Sequence, residues 1–399
     1  MDKICELLRE RVLERIDWSK ESDDDTLREL IGREIATTVE WEKISIKDRI
    51  MLEQRIYNSL RKLDILQDLI EDDRVTEIMV NGPDKIFYEK DGEVLEYPYH
   101  FPSEEKLQDV IQQIVGRNNR VVNLSSPIVD TRLEDGSRVN IVLSPISIDG
   151  SAISIRKFPQ KPLDMEQLIN LETITEEAAL FLKELVESGY NIFISGGTSS
   201  GKTTFLNALS SYIPEAERII TIEDSAELQL LHRKNMVRME TRNANMEGVT
   251  SIPIRRLIHT ALRMNPDRII VGECRGEEAI DMLQAMNTGH DGSLSTGHAN
   301  STGDMVKRLE TMVLMGTEIP LAAVRQQIAS AIDIFIHLEK MPDKKRKVIE
   351  IAEVVGMKKG EVTLLPLYRY DGLLVKTADL IHKEKLNRKP REEGKENGL

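Results

Sequence analysis

The chain has 399 residues, 40% of them hydrophobic and 31% charged, which suits two or three folded domains with buried cores and a heavily charged surface. Lys and Arg number 54 against 68 Asp and Glu, giving a formal net charge of -14, and aromatic residues make up only 4%. This balance speaks against a protein whose main task is to coat nucleic acid or stack bases, because those tasks need a dominant cationic face or an aromatic platform. Two distant cysteines, Cys5 and Cys274, make no disulfide framework and leave no paired thiols for structural zinc. The charged N-terminus has no apolar core of a signal peptide, and no apolar run approaches the ~18 residues of a membrane span. The expectation is a cytosolic protein that meets membranes only through partners.

Residues 2 to 18 set Ile4, Leu7, Leu8, Val12, Leu13 and Ile16 at helical spacing, with charge on the other face. The acidic run ESDDDT ends this helix. Asp25 or Thr26 can cap a second, and a third is predicted from Lys47 to Ile65. Residues 1–65 thus read as a helical module, either a surface bundle or a docking element. From 66 to 158 the runs VTEIMVN, KIFYEK, EVLEYP, RVNIVLSP and SAISIRKF alternate with Gly, Pro, Asp and Asn, and a helix from Ser103 to Gly116 interrupts them. That pattern predicts an α+β domain with a mostly antiparallel sheet. PQKPLDM, residues 159–165, reads as a linker.

Over 166–382 helices and strands alternate. A helix at Thr175 to Ser188 leads to a strand at 190–195. A strand at 218–223 precedes the helical SIPIRRLIHTALRMNP, which stops at Pro266. A strand at 267–272, the helix EEAIDMLQAMNTG and the strand SLSTGHA follow. Near-continuous apolar strands alternating with helices predict a parallel sheet covered on both faces. IDIFIHLEK, KVIEIAEVVGM and EVTLLPLYRY read as closing strands, and the polar residues 383–399 as a disordered tail.

The strongest chemical signal is GGTSSGKTT: Gly196, Gly197, Thr198, Ser199, Ser200, Gly201, Lys202, Thr203 and Thr204. It fits the spacing G-x-x-x-x-G-K-[ST] between an apolar strand and a helix. Glycines let the backbone wrap an anion closely, while loop N–H groups and the helix N-terminus supply positive potential. Lys202 is expected on the β and γ phosphates of a nucleotide, and the Thr203 hydroxyl on Mg²⁺.

In an open parallel sheet, ligands bind outside the carboxyl ends of the strands. Glu223, Asp224 and Glu227 follow one strand, Glu273 follows another, and His298 ends a third, with His290 on the loop just before it. Glu273 and Glu223 are candidates for orienting water and for contacts around the cation, with Glu273 alongside Thr203 as a metal residue. The histidines read either as hydrogen-bonded buried imidazoles or as sensors of the terminal phosphate. Asp267 stands at the start of its strand, the wrong end for a magnesium ligand. Cys274 reads as a packing residue.

TIEDSAEL, VGECRG and TGHDGSLSTGHAN, together with GGTSSGKTT, resemble the type II/IV secretion system ATPases, and within them the motors of tight-adherence (Tad/Flp) pilus assembly. The resemblance covers about residues 70 to 340. TIEDSAEL resembles the family's aspartate box, with Glu223 as its catalytic carboxylate. VGECRG resembles an atypical Walker B carrying Glu273, and TGHDGSLSTGHAN the histidine box with His290 and His298. The resemblance implies a RecA-like P-loop core, a PAS-like α+β N-terminal domain, ATP and Mg²⁺, and a homo-oligomeric ring, usually a hexamer. It also implies inner-membrane platform proteins as partners, at the inner face of the cytoplasmic membrane, with no direct nucleic acid. Arg138 and Arg156 match the arginines that reach the γ phosphate, and Arg238 and Arg242 lie in a segment similar to the family's arginine-bearing loop. The tetracysteine zinc element of the type II secretion branch is missing. Two further readings stay open: a type IV secretion motor or nucleic-acid translocase on the same core, and a nucleotide-gated scaffold.

Overall fold

The computed structural model describes residues 2–16, 23–37, 45–117, 120–158, 162–230, 233–242 and 250–387. The chain divides into two units, Met1–Gln160 and Lys161–Leu399. Residues 159–161 of the expected linker and 388–399 of the expected tail lie outside the described residues, as do 17–22, which hold the end of the expected first helix and the start of the acidic run.

In the first unit, helices α1 (Asp2–Arg15), α2 (Asp24–Ala36) and α3 (Ile46–Arg61) bring Leu8, Val12, Leu27, Ile31, Ile35, Leu52 and Ile56 into one buried cluster. The cap of α2 is Asp23, whose carboxylate accepts the Thr26 N–H at 2.8 Å. It is not Asp25 or Thr26: Asp24 and Asp25 occupy the first turn instead, where their charge meets the positive helix end. Helix α3 stops at Arg61, short of Ile65. Lys62 turns extended and Asp64 adopts a left-handed φ of 52°, which a right-handed helix cannot continue through.

A short helix α4 (Gln67–Glu71) leads into β1 (Val75–Asn81), β2 (Ile86–Lys90), β3 (Glu93–Glu96), helix α5 (Glu104–Gly116), β4 (Ile128–Arg132), β5 (Arg138–Val142) and β6 (Ala152–Arg156). The sheet order is β3-β2-β1-β6-β5-β4, antiparallel at every step. Period-2 residues Ile78, Val80, Val139, Ile141, Ile153 and Ile155 line one face, and Leu107, Val110, Ile111 and Ile114 of α5 cover it. The sequence reading leaves β4 unassigned, because this edge strand is mostly solvent-facing and carries no apolar run.

The second unit runs α6 (Met165–Asn170), α7 (Glu176–Glu187), β7 (Ile192–Gly196), α8 (Lys202–Ser210), β8 (Ile219–Glu223), β9 (Met236–Glu240), α9 (Ile254–Ala261), β10 (Arg268–Val271), α10 (Ala279–Asn287), β11 (Leu294–His298), α11 (Thr302–Gly316), α12 (Leu321–Ala331), β12 (Ile334–Lys340), β13 (Arg346–Lys358), β14 (Glu361–Asp371) and β15 (Leu373–Lys376). Its nine-stranded sheet has the order β15-β14-β13-β12-β7-β11-β10-β8-β9. The strands from β12 to β9 are parallel, and β12 to β15 pair antiparallel. Ile192 and Ile194 point to the face covered by α6, α7 and α8, while Phe193 points to the face covered by α9 to α12. This two-sided cover explains the uninterrupted apolar strands. Helices α11 and α12 are absent from the sequence reading.

The start of the expected tail is bound, not loose. Tyr190 Oη donates to the His382 carbonyl at 2.7 Å, and Lys385 Nζ reaches Asp333 at 2.7 Å and Asp291 at 3.0 Å. A tyrosine hydroxyl and two half-buried carboxylates near the amino ends of β7, β11 and β12 therefore hold residues 382–385 down.

Asn191 ties the amino end of β7 to its neighbours. Its Oδ1 accepts the N–H groups of Gly292 and Ser293 at 2.8 and 3.0 Å, and its Nδ2 donates to the Ala331 carbonyl at 2.7 Å. Replacing it with Ala leaves these buried groups without partners, so Asn191→Ala should cost about 2–4 kcal/mol in urea unfolding of this unit. Cys274 is fully buried, and burial pushes its thiol up to about 12. Mass spectrometry should find it unmodified by iodoacetamide at mildly alkaline pH in the folded protein, and modified after unfolding.

Candidate functional site

The loop between β7 and α8 is shaped by its small residues. A Cβ on Gly196 would stand 2.4 Å from the Leu338 carbonyl oxygen and 2.5 Å from Ser200 Oγ, so only glycine fits between β12 and the loop. Gly201, the residue capping α8, takes a φ of 92°, and Ser199 a φ of 58°. Next to Gly197 the space is open, with nothing within 4 Å of a Cβ placed there. Ser200 Oγ is buried without a hydrogen-bond partner among the described residues. The loop is a concave cradle of backbone groups at a helix N-terminus, the arrangement that holds phosphate. Thr203 and Thr204 follow in the first turn of α8.

Lys202 is only 8% exposed. Its Nζ donates to the carbonyls of Gly196 and Gly197 at 3.1 and 2.8 Å and to His298 Nδ1 at 3.3 Å. An ammonium can only donate, so Nδ1 must present its lone pair and the ring proton sits on Nε2. That nitrogen lies 2.9 Å from Glu273 Oε1. Burial, and then the adjacent Lys202 charge, hold the His298 imidazole below its ordinary value, which agrees with a neutral ring. Arg275 Nη2 donates to Glu273 Oε2 at 2.9 Å and its Nη1 lies 3.4 Å from Asp224 Oδ2. A continuous polar chain, Lys202–His298–Glu273–Arg275–Asp224, thus joins the carboxyl ends of β7, β11, β10 and β8.

Glu223, the last residue of β8, is 3% exposed. Its Oε2 accepts the N–H groups of Glu227 and Leu228 at 2.7 and 2.9 Å, and its Oε1 is buried without a partner among the described residues. Burial raises this carboxyl above the usual range, against the pull of the two N–H donors and Arg238. Gly272 makes room for it: a Cβ there would stand 2.9 Å from Glu223 Cγ.

The structure gathers Lys202, His298, Glu273 and Glu223 at one edge of the sheet. It does not bring His290 there. His298 pairs with Gly196 and Leu294 with Ile192, so the loop before β11 lies at the amino end of the strands. There His290 Nδ1 sits 3.2 Å from the Ala285 carbonyl, and the length of β11 separates it from the phosphate loop. The expectation that both histidines face that loop is corrected for His290. Asp267 also lies at the amino end, where its Oδ2 accepts the Arg218 N–H at 2.8 Å.

The segment read as an arginine-bearing loop is in part the edge strand β9, with Arg238 opposite Thr221 of β8 and Arg242 bridging to Ile252. Residues 243–249 lie outside the described residues. In the first unit, Arg138 pairs directly with Arg156 across β5 and β6, and with Arg132 across β4 and β5. The row continues to Glu77 of β1 opposite Arg156, which sets an acid beside the three arginines, and sequence reading found this row only in part. Arg132 lay on the unassigned strand. Arg275 and Arg346, whose Nε donates to the Ser199 carbonyl at 3.3 Å, were missed as well. No group of three or more His, Cys, Asp or Glu could hold a metal among the described residues. A cation here would rest on oxygens such as those of Thr203 and Glu273 together with phosphate and water, which suits Mg²⁺.

Residues 59–363 match the family model described as "Type II/IV secretion system protein". The chain is 31% identical over 324 residues to the putative conjugal transfer protein Rv3659c of Mycobacterium tuberculosis, covering 80% of this chain and 91% of that protein. It is 30% identical over 295 residues to the probable conjugal transfer protein TrbB of Sinorhizobium fredii, covering 73% and 86%. Among solved structures, the Legionella pneumophila ATPase DotB aligns with a TM-score of 0.53 at 22% identity, covering 72% of this chain and 79% of that one. The pilus retraction motor PilT with bound ADP aligns with a TM-score of 0.53 at 19% identity, covering 79% and 83%. These two likenesses bear on the fold. With a family model spanning most of its length and relatives matched across most of theirs, the chain belongs to the type II/IV secretion system protein family, and it is an ATPase.

Proposed function

We propose that the protein is an ATP-hydrolysing ring motor, a hexamer, that powers pilus assembly of the Tad/Flp kind or protein secretion from the cytoplasmic side of the membrane. The observation that carries this reading is the polar chain ending on Lys202, since it links the phosphate cradle to the strand-end acids. ATP with Mg²⁺ occupies the loop from Gly196 to Thr204 on a RecA-like core. Thr203 and Glu273 would hold the cation, which would supply charge neutralisation on the phosphates. Lys202 exchanges its loop carbonyls for phosphate oxygens, which are stronger acceptors. That exchange frees His298 Nδ1 and leaves Glu273, fixed by Arg275, to orient the attacking water. Glu223 holds the loop after β8 in place.

By resemblance to the family, Arg138 and Arg156 of the PAS-like domain are the arginines that would sense the γ phosphate and lose it on hydrolysis. Such a loss of contacts is a common source of domain movement. Platform proteins in the membrane receive that movement. The names of the relatives, conjugal transfer proteins and the type IV secretion protein PtlH of Bordetella pertussis, favour a second reading in which the same motor serves a type IV secretion machine. Affinity capture from membranes separates the two, by recovering a pilus platform or a type IV secretion channel component. Steeply salt-dependent stimulation of hydrolysis by DNA would favour a translocase over both.

Lys202→Ala should abolish ATP hydrolysis. Glu273→Gln should bind nucleotide yet turn over at least about 100-fold more slowly, the scale of losing a positioned acid–base group; wild-type turnover in either variant contradicts the reading. Gly272→Ala, by pushing Glu223 aside, should lower kcat by about tenfold to hundredfold while nucleotide affinity holds, as expected when a positioned group moves by about 1 Å. Steady-state kinetics with a parallel binding titration checks this.

A further inference from the structure

Strands β12 and β13 run past the end of β7 as a hairpin. Leu338 pairs with Gly196, the last residue of β7, while Lys340 and Arg346 pair with each other beyond it. The hairpin therefore overhangs the phosphate loop on the flank opposite β11, since the sheet order there is β12-β7-β11. The basic run Lys344–Lys347 lies in this overhang. Lys345 and Lys347 are committed to Glu172, at 3.0 and 3.2 Å.

Arg346 is different. Its Nε donates to the Ser199 carbonyl at 3.3 Å, and this is its one polar contact among the described residues. A Cβ placed on Gly201 would stand 3.7 Å from Arg346 Cγ and Cδ, so the stem lies along the loop where it enters α8. The side chain is exposed, and an exposed guanidinium resting on one carbonyl gains little stability from it. No carboxylate pairs with it among the described residues. Its remaining donors stand free at the rim of a cradle built for anions. A planar fork of N–H donors matches phosphate oxygens better than an ammonium does.

We propose that Arg346 is a nucleotide-binding residue that grips the inner phosphates, those common to ATP and ADP. The side of the loop it occupies supports this assignment. Glu273 and His298 hold the β10 and β11 side, where the terminal phosphate and the attacking water belong. Arg346 approaches from the β12 side, over Ser199 and Gly201. On binding, its fork leaves the Ser199 carbonyl for phosphate oxygens, so the nucleotide is held between Lys202 on one side and Arg346 on the other. The proposal rests on the reading of the loop as an ATP site.

The test is titration of ATP and of ADP, with Mg²⁺, into the full chain and into Arg346→Ala, Arg346→Lys and Lys202→Ala. Arg346→Ala should weaken both nucleotides by about tenfold, roughly one charge-assisted contact. The melting temperature without nucleotide should stay unchanged, because the side chain is exposed. Arg346→Lys should recover only part of the loss. Unchanged affinities in Arg346→Ala overturn the proposal. So does a loss confined to ATP, which would put the contact on the terminal phosphate, and so does a lowered melting temperature that accounts for the weaker binding. A wild-type chain that binds neither nucleotide, or a Lys202→Ala chain that binds both as tightly, overturns the underlying reading of the loop instead.

Discussion

The buried ammonium of Lys202 is the constraint around which the second unit is arranged. Lys202 sits at the base of the loop, where its Nζ donates to two backbone carbonyls and one imidazole nitrogen. A buried charge needs compensation, and neutral acceptors give less than an anion would. The carbonyls and the imidazole are neutral acceptors, and phosphate oxygens would bind the same ammonium more strongly. The glycine at 196, the left-handed Gly201 and the open space beside Gly197 all serve this one geometry.

The parallel sheet makes the geometry possible. Four strands end at the same edge, and each delivers one polar group: Gly196 and the loop, His298, Glu273 beyond Val271, and Glu223. Apolar strands buried on both faces fix these ends, so a small change at the lysine can reach Glu273 through His298 without rearranging the core. The lone-pair argument at His298 gives that link a direction. The nitrogen facing Lys202 accepts, and the nitrogen facing Glu273 carries the ring proton.

Much of this was legible in the sequence because it depends on local pattern. The loop spacing, the strand before it and the helix after it are contiguous, and acids placed directly after apolar strands mark the binding edge of a parallel sheet. What sequence reading lost depends on end, edge or distance. His290 flanks the same strand as His298, but before it, and so falls at the opposite end of the sheet. Strands β4 and β9 are edges with mostly exposed or half-exposed residues, so no apolar run announces them. The cap of α2 lies at the first of three consecutive acids, which pattern alone does not separate. Arg346 reaches Ser199 from a strand far along the chain, and no local motif signals such a contact.

The most direct measurement is a crystal structure of the full chain with Mg²⁺ and a non-hydrolysable ATP analogue. The account predicts the triphosphate in the loop, Lys202 Nζ on its oxygens, and the Gly196 and Gly197 carbonyls and His298 Nδ1 released from the lysine. A nucleotide bound elsewhere, or a lysine still parked on those carbonyls beneath a bound triphosphate, would contradict it.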